Sequence, residues 1–511
     1  MFSRRGMVSL LAGMAIGARP LATSWSADAV SPVAAGDLAL VDALTWGANQ
    51  STMSALQALG RDKWLQSQLH PGPGNRLPNA VRQQIDAQAV SRRTAMQLAT
   101  DFDAMARIAN GIVDPDQQVA ARNAFQAAMT DMARQAASAS ILRDLYSPDQ
   151  LLERMTWFWF NHFNVHQAKA DLRTLVGDYE RNAIRPHALG KFRDLTMATL
   201  RHPAMLRYLD NADNAVGHIN ENYAREIMEL HTMGVGSGYT QQDVEQLARI
   251  LTGAGIDRNQ EPPKVPPEQQ HLLIREGLFE FNPVRHDFGD KTFLGKPIKG
   301  SGYDEIAQAV EILCAHLATA QHIARQIAVY FVADDPPKAL TDRMAQTFAR
   351  TGGDIAAILD TMIRAPEFAA AMGTRFKDPV RYVLSAVRLA YDDKPIVNTV
   401  PIQNWLNRLA EGLFNHPTPD GYAMESATWD SSGQMVTRFE IARQIGSNSA
   451  GLFKPPGPGA VEEPAFPLLE NSLYFNGLRA RLSEKTRAAL DKAVSPQDWN
   501  TLLLSSPEFM R

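Results

Sequence analysis

From residue 38 onward, apolar positions recur three and four residues apart, the spacing of one helix face, and this holds for most of the chain. Leu38-Ala-Leu-Val-Asp-Ala-Leu44, Ser51 to Gly60 and Lys63 to Leu69 predict three short helices, closed by Pro71-Gly-Pro-Gly74. Alanine- and glutamine-rich stretches near 78–109 and 115–145 predict two longer ones. Ser147-Pro-Asp-Gln150 reads as a helix start, with serine as cap and proline in the first turn. The helix it opens contains Trp157-Phe-Trp-Phe-Asn-His-Phe163, apolar almost all round, the mark of a buried element. Thr240-Gln-Gln-Asp243 has the form of a capping box ahead of an apolar stripe at Val244, Leu247, Ala248 and Leu251. After Gly253 the helical spacing stops. Phe279 to Gly295 reads instead as strands and turns, and helices resume near Tyr303. The pattern predicts an all-α, multi-helix array with a small β-ribbon insertion near 278–298.

Composition sets the organisation. The chain has 511 residues, long enough for several helical subdomains, and its 45% apolar and 21% charged residues are those of a folded protein rather than a disordered one. Ser3-Arg4-Arg5 followed by a short apolar run and small residues between Ala22 and Ala27 reads as a twin-arginine-type signal peptide over 1–27. That run is too short to stay as a spanning helix, and no later segment is apolar enough to cross a bilayer. The expectation is an exported protein, periplasmic or secreted. It divides into an N-terminal helical arm at 28–145, a main helical domain at 146–453, a Pro/Gly-rich excursion at 454–468 and C-terminal helices at 469–511. Net charge is −4, with no basic, aromatic-interleaved stripe, so no nucleic-acid partner is expected. Cys314 is the only cysteine, which excludes an intramolecular disulfide and a multi-cysteine zinc site.

The candidate chemistry centres on Asn220-Glu-Asn-Tyr-Ala-Arg-Glu-Ile-Met-Glu-Leu-His-Thr-Met-Gly234. At 100° per residue Glu221, Asn222, Arg225, Glu226 and Glu229 share one arc, with Asn220 as N-cap and Gly234 as the left-handed stop. Arg225 lies four residues from both Glu221 and Glu229, so ion pairs along a solvated face are one reading. The other places Glu226 and Glu229 in a cleft as acid/base pair or metal ligands. His162 reads as a hydrogen-bonded core histidine, a proton carrier, or half of a pair with His166. Without a fixed third ligand no metal site is assigned, and the cofactor is left open. Arg185, His187, His202 and Asp210 sit at helix ends, as capping groups or as parts of one pocket. Arg285, His286, Asp287 and Lys291 crowd a loop of the ribbon region, where a rigid scaffold tends to carry functional groups.

Several of these stretches together resemble a large bacterial exported family, domain of unknown function 1800. They are Asn161-His-Phe163, Arg185-Pro-His-Ala-Leu-Gly190, Asn220 to Glu226, Met228 to Val235, Gly238-Tyr-Thr240, Asp243-Val244, Leu251-Thr-Gly253, His286-Asp287, Lys291-Thr292, Leu294-Gly295 and Pro417 to Tyr422. The resemblance covers the chain from about residue 38 to its end. It implies a mostly helical exported protein, often encoded beside a second exported family that looks like sulfatases and alkaline phosphatases. It supplies no reaction. His166 departs from the small polar residue expected at its position, which weakens a paired-histidine metal site. Because the signature is rich in polar groups outside the apolar core positions, it favours a shared cleft. In that cleft Glu226, Glu229, His286 and His162 would be catalytic, and Arg185, Asn222, Arg225, Asp287 and Lys291 would bind substrate. The enzyme would be a hydrolase or lyase of envelope or extracellular polymer. The alternative is a non-enzymatic scaffold working with a sulfatase-like exported partner.

Overall fold

Helices carry almost the whole chain in the computed structural model, which describes residues 34–511 apart from 75, 259, 260 and 468. The signal peptide expected at 1–27 lies outside the described residues. The Gln150–His162 helix is buried along nearly its whole length, as its aromatic run requires, and it lies inside an apolar core that draws on residues from Leu38 to Met510. A second, small cluster of Val90, Leu98, Phe102, Met129 and Met132 joins the Ala95–Gly111 and Pro115–Tyr146 helices. Pro115–Tyr146 is 32 residues long and buried only from Met129 on, so its first half stands clear of the core. Among the described residues no helix is long and apolar enough to cross a membrane.

The start of the Gln150–His162 helix differs from expectation. Ser147 is not the cap of the Gln150–His162 helix but the C-cap residue of Pro115–Tyr146, which runs on further than its spacing suggested. The Ser147 hydroxyl accepts the Asp149 N–H at 3.2 Å, and the Gln150 side chain donates back to the Asp144 and Ser147 carbonyls. One tight turn thus reverses the chain between the two helices.

Strands fall where the helical spacing stops. Ala254–Ile256, Ile274–Glu276 and Phe279–Phe281 form an antiparallel sheet with Phe279–Phe281 in the middle, and Lys291–Phe293 pairs with Lys296–Ile298 as a separate hairpin. Leu294 and Gly295 turn that hairpin with φ of 47° and 73°, the twist that two-residue connections favour. The ribbon expected near 278–298 is present; its first sheet also recruits strands from before that stretch.

Buried arginines lock the N-terminal turn at 42–49 to the core. Arg154 donates to the carbonyls of Ala43 at 2.5 Å and Thr45 at 3.2 Å, with its guanidinium 4.9 Å from the Tyr330 ring centre. Arg381 donates to Asp42 O at 3.0 Å, and Arg388 to Gly47 O at 3.2 Å and Leu145 O at 2.5 Å. Burial pushes Arg381 and Arg388 down to about 10, so both stay charged at neutral pH. Gly47 admits no side chain. Its φ is 116°, and a Cβ there would sit 2.4 Å from that of Ser385. Gly47→Ala is therefore expected to cost about 1–3 kcal/mol in urea unfolding. Gly433→Ala, in the first turn of the Ser432–Gly446 helix with nothing within 4 Å, should instead stabilise by about 0.5–1 kcal/mol.

Candidate functional site

The polar face at 221–229 rides on a helix made of two parts, α-helical over Asn222–Glu226 and π-helical over Ile227–Thr232. Glu221 takes the N-cap position in place of Asn220, whose Oδ1 accepts the Asn222 N–H at 2.9 Å from one residue further back. The widening shows in Met233 N–H to Met228 O at 3.0 Å and Thr232 Oγ1 to Ile227 O at 2.6 Å. Two imidazoles then take carbonyls of the last turn. His162 Nε2 lies 3.0 Å from His231 O, and His322 Nε2 lies 3.2 Å from Leu230 O. A carbonyl only accepts, so each Nε2 carries its proton. Gly234 ends the helix with φ of 90°, as its sequence position predicts, and a Cβ there would meet His322 Nδ1 at 2.9 Å.

These histidines form the floor beneath the polar face. His162 packs against Phe158, Trp159 and Phe163, with its ring centre 6.1 Å from those of both His231 and His322. Burial, and the proximity of His322, push His162 down to about 3. Burial also lowers His322 and drives His231 well below its ordinary value, and neither ring nitrogen of His231 has a hydrogen-bond partner among the described residues. All three are neutral at pH 7.

Above them, Glu226 and Glu229 are half-buried. Burial raises the Glu226 carboxyl above its ordinary range, the neighbouring Glu229 and Asp420 raise it further, and Arg225 opposes them. Burial, then Asp420 and Glu226, push Tyr208 up to about 12, and Tyr239 hydrogen-bonds to Glu229. Arg225 pairs with Glu221 at 3.1 Å and donates to Gln241 at 2.9 Å. The second pair expected along the face, with Glu229, is not among the described ion pairs, because the π turn carries Glu229 out of the i+4 register of an α-helix. Asn222 is exposed and reaches Leu209 O at 3.2 Å.

The ribbon residues form a different assembly. His286 and Lys291 are buried with Glu305, at 2.8 Å and 2.5 Å from its two carboxyl oxygens, and His286 Nδ1 faces Thr252 O at 2.7 Å. Burial alone would raise Glu305. Hydrogen bonds from His286, Lys291 and the Gly302 and Ser301 amides outweigh it and hold the carboxyl low. Asp287 forms a two-bond pair with Arg249, at 2.8 and 3.2 Å. Arg185 pairs likewise with Glu153, at 2.9 and 2.6 Å. His202 and Asp210 are also paired, with Asp178 and Lys169. The Gln241–Ile250 helix joins the two assemblies at opposite ends, Gln241 holding Arg225 and Arg249 holding Asp287, about 12 Å apart along its axis.

The model of the protein family of unknown function DUF1800 matches residues 39–511. The chain belongs to this family. No curated protein and no solved structure matches it. Two motifs that carry the family likeness meet at one junction. The Asn161 side chain donates to Tyr422 O at 2.9 Å and accepts the Tyr422 N–H at 2.7 Å, while Asn164 donates to His416 O and Thr418 O. Gly421, with φ of 73°, lies so close that a Cβ would sit 2.2 Å from Asn161 O. This junction brings Asp420 toward Glu226, a neighbour that the sequence reading missed, although Pro417 to Tyr422 lay within the recognised pattern. Glu305 was missed as well; its signal was a glutamate three residues past a glycine at a helix start.

Among the described residues, no three side chains of metal-ligand type are placed to hold an ion. Two stability outcomes follow. The unfolded chain protonates its histidines below about pH 6.5 while the folded chain resists, so stability should fall as pH drops from 6.5 toward 3. His162→Gln should flatten that slope by up to about 1.4 kcal/mol per pH unit, read from urea midpoints. Glu305→Ala, which strands His286 and Lys291 without their carboxylate, should cost about 3–5 kcal/mol.

Proposed function

We propose that the chain is an exported hydrolase or lyase of envelope or extracellular polymer, with Glu226 as general acid and Glu229 as its carboxylate partner. The reading rests on one observation: the Glu226 carboxyl is raised by burial and by Glu229, on a helix whose last turn is fixed by the buried His162 and the half-buried His322. A pair of carboxyls with unequal environments is the usual means of keeping one protonated and one ionised at neutral pH. Arg225 limits how far Glu226 is raised, and Asp420 adds to the rise. In this reading His162 positions the helix, and His286, Asp287, Lys291 and Arg185 brace the scaffold through their ion pairs.

Those internal pairs also favour a second reading, a non-enzymatic scaffold that holds a sulfatase-like exported partner, since so much of the polar signature is occupied within the chain itself. Reducing-end or fragment release from purified cell-wall sacculi and exopolysaccharide separates the two. Wild-type protein should release fragments, and Glu226→Gln should lower the rate by about 10²–10⁴-fold without loss of fold. A Glu226→Gln protein as active as wild type would overturn the assignment. Removing a raised carboxyl also relieves the folded state at neutral pH, so the same variant should melt at or above the wild-type temperature.

A further inference from the structure

A cleft of about 670 Å³ is lined by none of the residues of the 221–229 face. Its walls are the turn ahead of the Ala95–Gly111 helix, the π-helical Tyr179–Ile184 segment, the end of the Phe192–Arg201 helix and the turn between the Ile274–Glu276 and Phe279–Phe281 strands. Four arginines line it, Arg92, Arg93, Arg181 and Arg201, against two carboxylates, Asp178 and Glu276. Four against two leaves two positive charges, in a chain whose net charge is −4.

The four are not equally committed. Arg181 is fixed by Val90 O at 2.8 Å and Asp178 Oδ1 at 3.0 Å. The other Asp178 oxygen takes the His202 Nε2–H at 3.1 Å, while His202 Nδ1 accepts the Ala204 N–H, so His202 sits there as the neutral Nε2–H tautomer. Arg93 pairs with Asp101 outside the cleft. Arg201 lies 4.9 Å from the Phe279 ring centre and holds Glu276 at 2.6 Å, a carboxylate that is itself 65% exposed and free to swing away. Arg92 is exposed and has no side-chain partner among the described residues. Ser91 Oγ, also on the wall, is shut off from solvent with no partner.

We infer that this cleft binds an acidic oligosaccharide, one bearing carboxylate or sulfate groups at intervals along its chain. The volume falls within the roughly 300–1,000 Å³ of small-ligand sites. Guanidinium forks match the flat oxygen pairs of carboxylates and sulfates. The arginines come from several separate elements, which suits repeated acidic groups better than one small anion. A nucleic acid would need free ring faces for its bases. Of the two rings among the lining residues, Phe279 has Arg201 over it, and His202 is buried with its ring against Tyr179. The site shares no residue with Glu226 and Glu229, so it stands whether or not they are catalytic.

Calorimetric titration of the full chain at low ionic strength tests it, with a heparin hexasaccharide, hexagalacturonate, neutral maltohexaose and hexathymidylate as probes. Both acidic sugars should bind at least about tenfold tighter than maltohexaose and hexathymidylate, and salt should weaken them steeply. Arg92→Glu should weaken both by about tenfold or more with an unchanged melting temperature, and Glu276→Gln, which frees Arg201, should tighten them about threefold. The proposal is overturned if neither acidic sugar binds, if hexathymidylate binds as tightly, or if Arg92→Glu has no effect.

Discussion

Two imidazole N–H groups donated to the carbonyls of Leu230 and His231 decide where the polar face of the 222–232 helix can lie. A helix end leaves its last carbonyls without partners, and one buried in apolar surroundings must find donors elsewhere. Here the donors are side chains of two other helices, Gln150–His162 and Leu317–Phe331, so three elements are pinned at one point. Because His162 is buried and His322 half-buried, their rings resist the charge that would let them carry protons near neutral pH. Their contribution is therefore geometric: they fix the last turn of the helix that carries Glu226 and Glu229.

The same requirement explains why so many charges lie inside. An array of short helices has many ends, and each exposes orphan carbonyls or amides to a core with no water to satisfy them. Arg154, Arg381 and Arg388 answer this for the 42–49 turn by donating to backbone oxygens, and Glu305 answers it for the Ser301 and Gly302 amides. A guanidinium is suited to that work because several donors leave one planar group that also stacks on aromatic rings. The Glu305 assembly costs more to desolvate, and it persists because His286, Lys291 and two amides fill both carboxyl oxygens.

Periodicity made the helices legible, and the loss of periodicity after Gly253 marked the strands. Capping chemistry was legible where it was local, as at Thr240 and Asp243, whose reciprocal bonds are present. It misled at Ser147, where the preceding helix used the same residue for its own end. The π turn was not legible, because a constant 100° per residue leaves no room for a change of pitch that depends on partners distant in sequence. Hence the pairing of Arg225 with Glu221 was legible, and the lack of one with Glu229 among the described residues was not. The site residues suffered in the same way. Nothing near His286 or Lys291 in the chain reveals Glu305, and nothing near Arg185 reveals Glu153.

The Asn161–Tyr422 junction shows what kind of constraint the family pattern records. Asn161 presents an amide that imitates a neighbouring strand, accepting and donating to one residue of the 415–422 loop, and only a glycine at 421 lets the backbone come that close. Neither Asn161 nor Gly421 carries charge. The junction also sets the position of the loop that carries Asp420, which adds to burial and Glu229 in raising the Glu226 carboxyl. A motif of this sort records close packing between segments distant in sequence. That is why Trp157 to Phe163, read alone, suggested a buried helix rather than a site.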